Sequence, residues 1–385
     1  MKEARGFVLK AVFAAVLLAA LNLGCGEEPG EANQPAAGRK DAASRPAAQD
    51  ARTLRLKCFR CVDRQGIGAE AFSIVAPADW EFQGEVQWIL DRPAAPAAAV
   101  FRVRNPKGTE QVELLPTVYF FWTSNQMVLA ACPLGSRYFG NEMRPPMRAL
   151  ESIKEMLLPR FRKDAVGLKM VSEERLRDPF KPTVGIPTDA NVVSDGARVR
   201  VEYDADGTAM EEEIYATVQA VELPMMVGTY WAMGYTFCLR AEKGQLDKSS
   251  RTLQTIARSF RLDPQWFNKH NQIVEMLVQN QIRQIQRIGE VSRMVSRTYN
   301  EISDMTRRGY EERQAAQDRM FDGFSQAIRG VDEYYNPMEE RSVELPTGYD
   351  GAWANANGEY ILSDNPNFNP NVGSNADWRK LDRRE

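Results

Sequence analysis

The chain has 385 residues, a formal net charge of -3 and 43% hydrophobic residues. That length allows two or three domains with a sizeable core, and the near-balanced charge excludes a chain built to bind nucleic acid through a concentrated basic face. The single histidine, His270, excludes a His-rich zinc site, and any Ser-His-Asp or Cys-His arrangement would depend on that one ring.

Lys2, Arg5 and Lys10 lead into an apolar run from Ala11 to Leu21, and Asn22-Leu23-Gly24-Cys25 follow. A basic start, an apolar centre and a small residue before a cut are the layout of an export signal. The run is too short to cross a hydrocarbon core, which needs about 20 residues. A cysteine directly after the small residue resembles the lipobox of bacterial lipoproteins. The resemblance implies that residues 1–24 are a signal peptide and that Cys25 is acylated, as by palmitate, and becomes the new N-terminus. Asn22 departs from the Leu that the family prefers there. Gly26 is not the Asp of an inner-membrane retention signal, so outer-membrane anchoring facing the periplasm is implied for a Gram-negative host. Residues 25–53 are poor in bulky apolar side chains and read as the acylated cysteine and a flexible tether, with a reach on the order of 30 Å.

Residues 54–263 read as an α+β domain. Phe101 and Val103 alternate with Arg102 and Arg104, Val112 and Leu114 flank Glu113, and Val199, Val201 and Tyr203 alternate with Arg198, Arg200 and Glu202. Period two marks half-buried strands. Asn105-Pro106-Lys107-Gly108 and Asp204-Ala205-Asp206-Gly207 suit hairpins, which join antiparallel strands. Helices are expected from about Pro146 to Leu158 and from about Leu246 to Phe260. The stretch Phe72-Ser73-Ile74-Val75-Ala76-Pro77-Ala78-Asp79-Trp80 resembles the opening of PsbP-like domains, and Ile256-Ala257-Arg258-Ser259-Phe260-Arg261 resembles their closing helix. The resemblance implies an antiparallel sheet with a few packed helices and an auxiliary or binding role.

From Asp263-Pro264 the pattern changes. Residues 264–336 read as one long helix, because Leu277, Ile288, Tyr299, Tyr310 and Phe321 recur every 11 residues. Met294, Met305, Ala316 and Ala327 form a second row, and Val291, Ile302, Phe324 and Tyr335 a third that Arg313 interrupts. One apolar stripe calls for a partner: self-association is the first choice, an envelope protein the next. Residues 337–385 read as a small hairpin module turning at Asn357-Gly358, with Trp353, Tyr360, Phe368 and Trp378 as its aromatics. Leu345-Pro346-Thr347-Gly348-Tyr349 with Gly358-Glu359-Tyr360-Ile361 is faintly similar to a WW domain but lacks its closing Trp-x-x-Pro, so peptide binding is not carried over. The tail also resembles those of uncharacterised bacterial envelope proteins.

Four cysteines remain beside Cys25: Cys58, Cys61, Cys132 and Cys238, an even number compatible with two disulfides in an exported protein. Cys58-Phe59-Arg60-Cys61 suggests a clip before it suggests a redox dithiol, since it lacks the βαβ context of one. Candidate ligand contacts are Tyr138, Arg144 and Arg148 around a helix entry, and Trp353 and Tyr360 in the tail. Glu211-Glu212-Glu213 reads as a solvated edge, because neighbours on a strand point to opposite faces. No catalytic residue, metal ligand or cofactor is assigned. The expectation is a membrane-anchored, non-enzymatic binding or assembly factor. The alternatives are an envelope hydrolase using carboxylates and a thiol-redox protein using Cys58 and Cys61.

Overall fold

The structure, a computed structural model, describes residues 53–93, 95–138, 140–177, 191–223, 228–278, 307, 310, 311, 315, 331–372, 374 and 376–384. The first strands are β1 (Thr53–Val62), β2 (Glu70–Pro77), β3 (Glu81–Trp88), β4 (Ala97–Arg104), β5 (Gln111–Leu115) and β6 (Val118–Thr123). A short helix α1 (Gln126–Ala131) precedes β7 (Arg137–Tyr138) and β8 (Asn141–Met143). Next, α2 (Ala149–Ser152) runs through a π-helical turn (Ile153–Leu157) into α3 (Leu158–Phe161). Four long strands follow: β9 (Val166–Arg177), β10 (Asn191–Ala205), β11 (Thr208–Leu223) and β12 (Gly228–Glu242). The rest is α4 (Leu246–Arg258), β13 (Arg261–Leu262), α5 (Pro264–Val278), β14 (Val331–Asn336), β15 (Arg341–Pro346), β16 (Gly351–Ala354), β17 (Glu359–Ser363), β18 (Arg379–Lys380) and β19 (Asp382–Arg383).

These strands make three sheets. A six-stranded sheet has the order β13-β2-β1-β17-β16-β18, and a three-stranded one the order β15-β14-β19. In the ten-stranded sheet β3-β4-β5-β12-β11-β10-β9 form the main path, with β6, β7 and β8 beside β12. One face of the ten-stranded sheet buries Val199, Val201, Ile214, Trp231 and Cys238 under Leu150, Ile153 and Leu157 of the helical segment. Its other face buries Phe101, Val103, Phe237 and Leu239 against Phe72 and Ile74 of β2, Ile256 of α4 and Phe267 of α5. The six-stranded sheet turns its outer face, with Leu56, Tyr360 and Leu362, to Tyr334 and Leu345 of the small sheet.

One irregularity sets this layering. β12 pairs with β6 through Met233 and with β5 from Thr236. Between them Tyr235 adopts φ 48°, left-handed backbone that a non-glycine residue adopts only under constraint. The extra residue inverts the side-chain alternation. Trp231 and Met233 therefore share the helix-covered core with Cys238, while Phe237 and Leu239 face the other sheet.

The hairpin turns stand where the sequence puts them: Asp206 and Gly207, both at positive φ, close β10 on β11, and β4 returns to β5 after Gly108. The fold class needs correction. The described residues are mostly β-structure in three sheets, not an α+β sandwich followed by a long helix and a separate hairpin. The longest described helix is α5, with 15 residues. The expected helix over 264–336 ends in a strand, because Val331–Asn336 buries Tyr334 and Asn336 in alternation. Residues 279–306 and most of 308–330 lie outside the described residues. Of the main 11-residue row, Leu277 and Tyr310 pack against the body's own core. The terminal hairpin is part of the six-stranded sheet, with β17 pairing β1 from Thr53↔Ser363 to Lys57↔Glu359. No described helix is long and apolar enough to cross a membrane.

Candidate functional site

Three centres gather the polar and aromatic chemistry of the body. The first forms where β1 turns towards β2. The Asp63 carboxylate accepts from the N–H groups of Gly66 and Ile67 at 2.9 Å. It also accepts from the indole N–H of Trp88 at 3.0 Å and that of Trp266 at 2.9 Å. A buried carboxylate is tolerated when its lone pairs are filled in this way, and Asp63 is 2% exposed. His270 stacks on Trp266 with ring centroids 5.1 Å apart, and Trp88 lies 6.1 Å away. One acid thus ties together the β1–β2 turn, β3 and α5. Beside it a surface groove of about 490 Å³ runs between β1 and β3, lined by Arg60, Arg64, Phe82 and Glu85 among others.

The second centre lies under the helical segment. Arg162 donates to Glu212 from Nε at 2.9 Å and to Glu113 from Nη2 at 2.8 Å. Tyr203 donates to Glu212 at 2.8 Å, and Arg102 to Glu113 at 2.7 Å. Burial pushes the Glu113 carboxyl up, but Arg162, Arg102 and Arg240 outweigh it and leave it below the usual range. Glu211, Glu212 and Glu213 are all buried, which corrects the expectation of a solvated edge. Alternation does split them between faces. Glu212 meets Arg162, while Glu211 takes Arg200 at 2.8 Å and Glu213 accepts from Tyr215 at 2.7 Å on the other side.

The cysteines carry no bond to one another: Cys58, Cys61, Cys132 and Cys238 are free thiols. Cys58 and Cys61, three apart on β1, point to opposite faces. Burial pushes the Cys61 thiol up to about 11, with Asp63 and Glu85 adding to it. Burial also raises Cys58, helped by Glu339. Cys238 is fully enclosed beside Arg162, whereas Cys132 is half-buried at the end of α1. Cys25 lies outside the described residues.

The third centre is the loop region from β6 to α2, where the sequence places Tyr138, Arg144 and Arg148. Tyr138 stacks on Phe121 at 4.7 Å, and Tyr230 approaches Phe121 at 4.7 Å. Arg144 pairs with Glu142 at 2.9 Å, and its carbonyl accepts from the Trp231 indole at 2.8 Å. Arg148 lies 3.6 Å from Asp195. These residues share one region but make structural pairs within it. Trp353 and Tyr360 are only 7% and 0% exposed, so neither offers a surface to a ligand. Trp353 packs with Ile361 and Trp378, and the Tyr360 hydroxyl accepts from Asn336.

The loop's own feature is α1. Asn125 caps it by accepting from Met127 N–H at 3.0 Å, yet none of its residues is buried although it reads Gln-Met-Val-Leu-Ala-Ala. Met127 is 80% exposed and Leu134 63%. Sequence reading missed α1, the Asp63 centre and the Glu113–Arg162–Glu212 centre. A signal for α1 is present: no charged residue occurs from Leu114 to Ser136. The two buried centres join residues far apart in the chain and leave no local mark. Among the described residues, no group of three or more His, Cys, Asp or Glu is placed to hold a metal ion. No family model matches the chain, and no curated protein matches it.

Proposed function

We propose that this chain is a membrane-anchored, non-enzymatic envelope lipoprotein that acts as a binding or assembly factor through its β body. The supporting observation is a contrast between interior and surface. Asp63, Glu113 and Glu212 are buried and hydrogen-bonded, whereas no residue of the apolar helix α1 is buried and Met127 is 80% exposed. Exposed apolar surface of this kind marks a contact with another protein or with a membrane. The hydrolase alternative needs two free carboxylates facing a pocket. Glu113 and Glu212 are held on Arg162. Of Asp63 and Glu85, which line the groove, Asp63 is engaged by two backbone N–H groups and two indoles. The redox alternative needs a stabilised thiolate, and both Cys58 and Cys61 are shifted the other way.

The test is the size of the chain's complexes in detergent-solubilised native envelopes after chemical cross-linking. The proposal expects a species heavier than the 43.5 kDa chain, formed with an envelope protein or a second copy. A chain recovered only as a monomer would overturn the assembly role.

A further inference from the structure

We infer that residues 124–136, α1 and the loop that follows it, form a second, non-covalent membrane contact that inserts into the lipid layer's interface. This inference rests on the anchoring read from Cys25. Three observations carry it. Burying charge in an apolar layer is costly, and the segment from Leu114 to Ser136 has none. No residue of α1 is buried, and Met127 and Leu134 are the most exposed apolar side chains of the loop. Amphipathic rings stand at the loop's base: Trp122 is half-buried, and Tyr138 and Tyr230 flank Phe121. Tryptophan and tyrosine favour the headgroup level, where one end of the ring is apolar and the other wet.

The chain before β1 makes the contact reachable. Residues 26–52 separate Cys25 from Thr53, a length of chain that covers at most roughly 90 Å. A lipid surface fits better than a second copy. α1 has six residues and is about 9 Å long, too small to supply alone the roughly 800 Å² per partner that a stable dimer buries. A shallow interface needs no such complementary area. The anchor holds the protein at the membrane, and the loop fixes which end of the ten-stranded sheet faces it.

The test uses the full chain in phosphatidylethanolamine–phosphatidylglycerol vesicles that contain a lipid with a photoactivatable acyl chain, followed by peptide mapping of adducts. The expected result is adducts within 122–137, reduced at least tenfold in Met127→Ser/Leu134→Ser, whose melting temperature stays that of the wild type because both residues are exposed. Adducts absent from 122–137 in the wild type would overturn the inference, as would cross-links from this loop to a second copy in place of lipid. Labelling of the N-terminal peptide is read separately. Loop adducts with an unmodified Cys25 would sustain the loop contact and remove the anchor.

Discussion

Arg162 joins two buried carboxylates of the interior. Its Nη2 and Nε reach two carboxylates whose side chains are 6% and 0% exposed. Removing one partner of a buried ion group leaves uncompensated charge and costs about 3 to 5 kcal/mol. Arg162→Met is therefore expected to lower stability by roughly that amount in urea unfolding at pH 7. The pH dependence distinguishes the two proteins. In the wild type, Glu113 titrates below its usual range, so its contribution is complete above the unfolded value near 4.3 and is lost as pH falls through the lowered folded value. In Arg162→Met, Glu113 keeps Arg102 but loses a buried cation, so its loss of stability on acidification should be smaller than in the wild type. An unchanged unfolding curve in the variant would contradict the assignment.

The thiols make the complementary case. Cys61 titrates near 11 in the folded state, so at pH 7.5 its thiolate should be scarcer than an ordinary thiol's by about two orders of magnitude. Iodoacetamide should modify Cys61 in native protein at least that much more slowly than in urea. Because the folded value is raised, this group's stabilisation is full below the ordinary thiol range and declines as pH rises towards 11. Native labelling as fast as the unfolded control would restore the redox reading.

Among elements, the turn around Asp63 depends on a residue without a side chain. A Cβ at Gly66 would lie 2.1 Å from the Trp88 indole nitrogen and 2.6 Å from Asp63. Overpacking of this kind typically costs 1–3 kcal/mol, so Gly66→Ala should lower the melting temperature and shift the fluorescence of Trp88 and Trp266. An unperturbed spectrum would show that the indoles do not depend on the turn. The sequence made the local features legible. Alternation located β4, β5 and β10, Asp206-Gly207 located the turn from β10 to β11, and Asn357-Gly358 that from β16 to β17. The helix expected from about Leu246 to Phe260 is α4, Leu246–Arg258. The sequence misled at β14, because Tyr335 happens to continue an 11-residue row although Val331–Asn336 buries alternate residues. Pairings across long separations, such as Arg162 with Glu212, 50 residues apart, leave no periodic trace.

For the molecule as a whole, a strand from near the C-terminus, β17, pairs with the first described strand, β1. β17 supplies the partner for the first half of β1, and the small sheet covers the face they share. Deleting residues 350–385 would open the β1 edge and strip Tyr360 and Leu362 from the third core. The truncated chain is expected to aggregate or to lose cooperative unfolding, as followed by circular dichroism. A truncation that melts like the full chain would mean that the tail is an independent module.

The functional account joins this closed body to a membrane through Cys25, and that attachment is its central claim. Mass spectrometry of the N-terminal peptide from chain isolated out of its native envelope tests it most directly. The account predicts a mature chain beginning at Cys25 and carrying acyl groups on it, with Cys25→Ala lost from the detergent-soluble lipoprotein fraction. A wild-type chain with an unmodified Cys25, or one cut elsewhere, would contradict it.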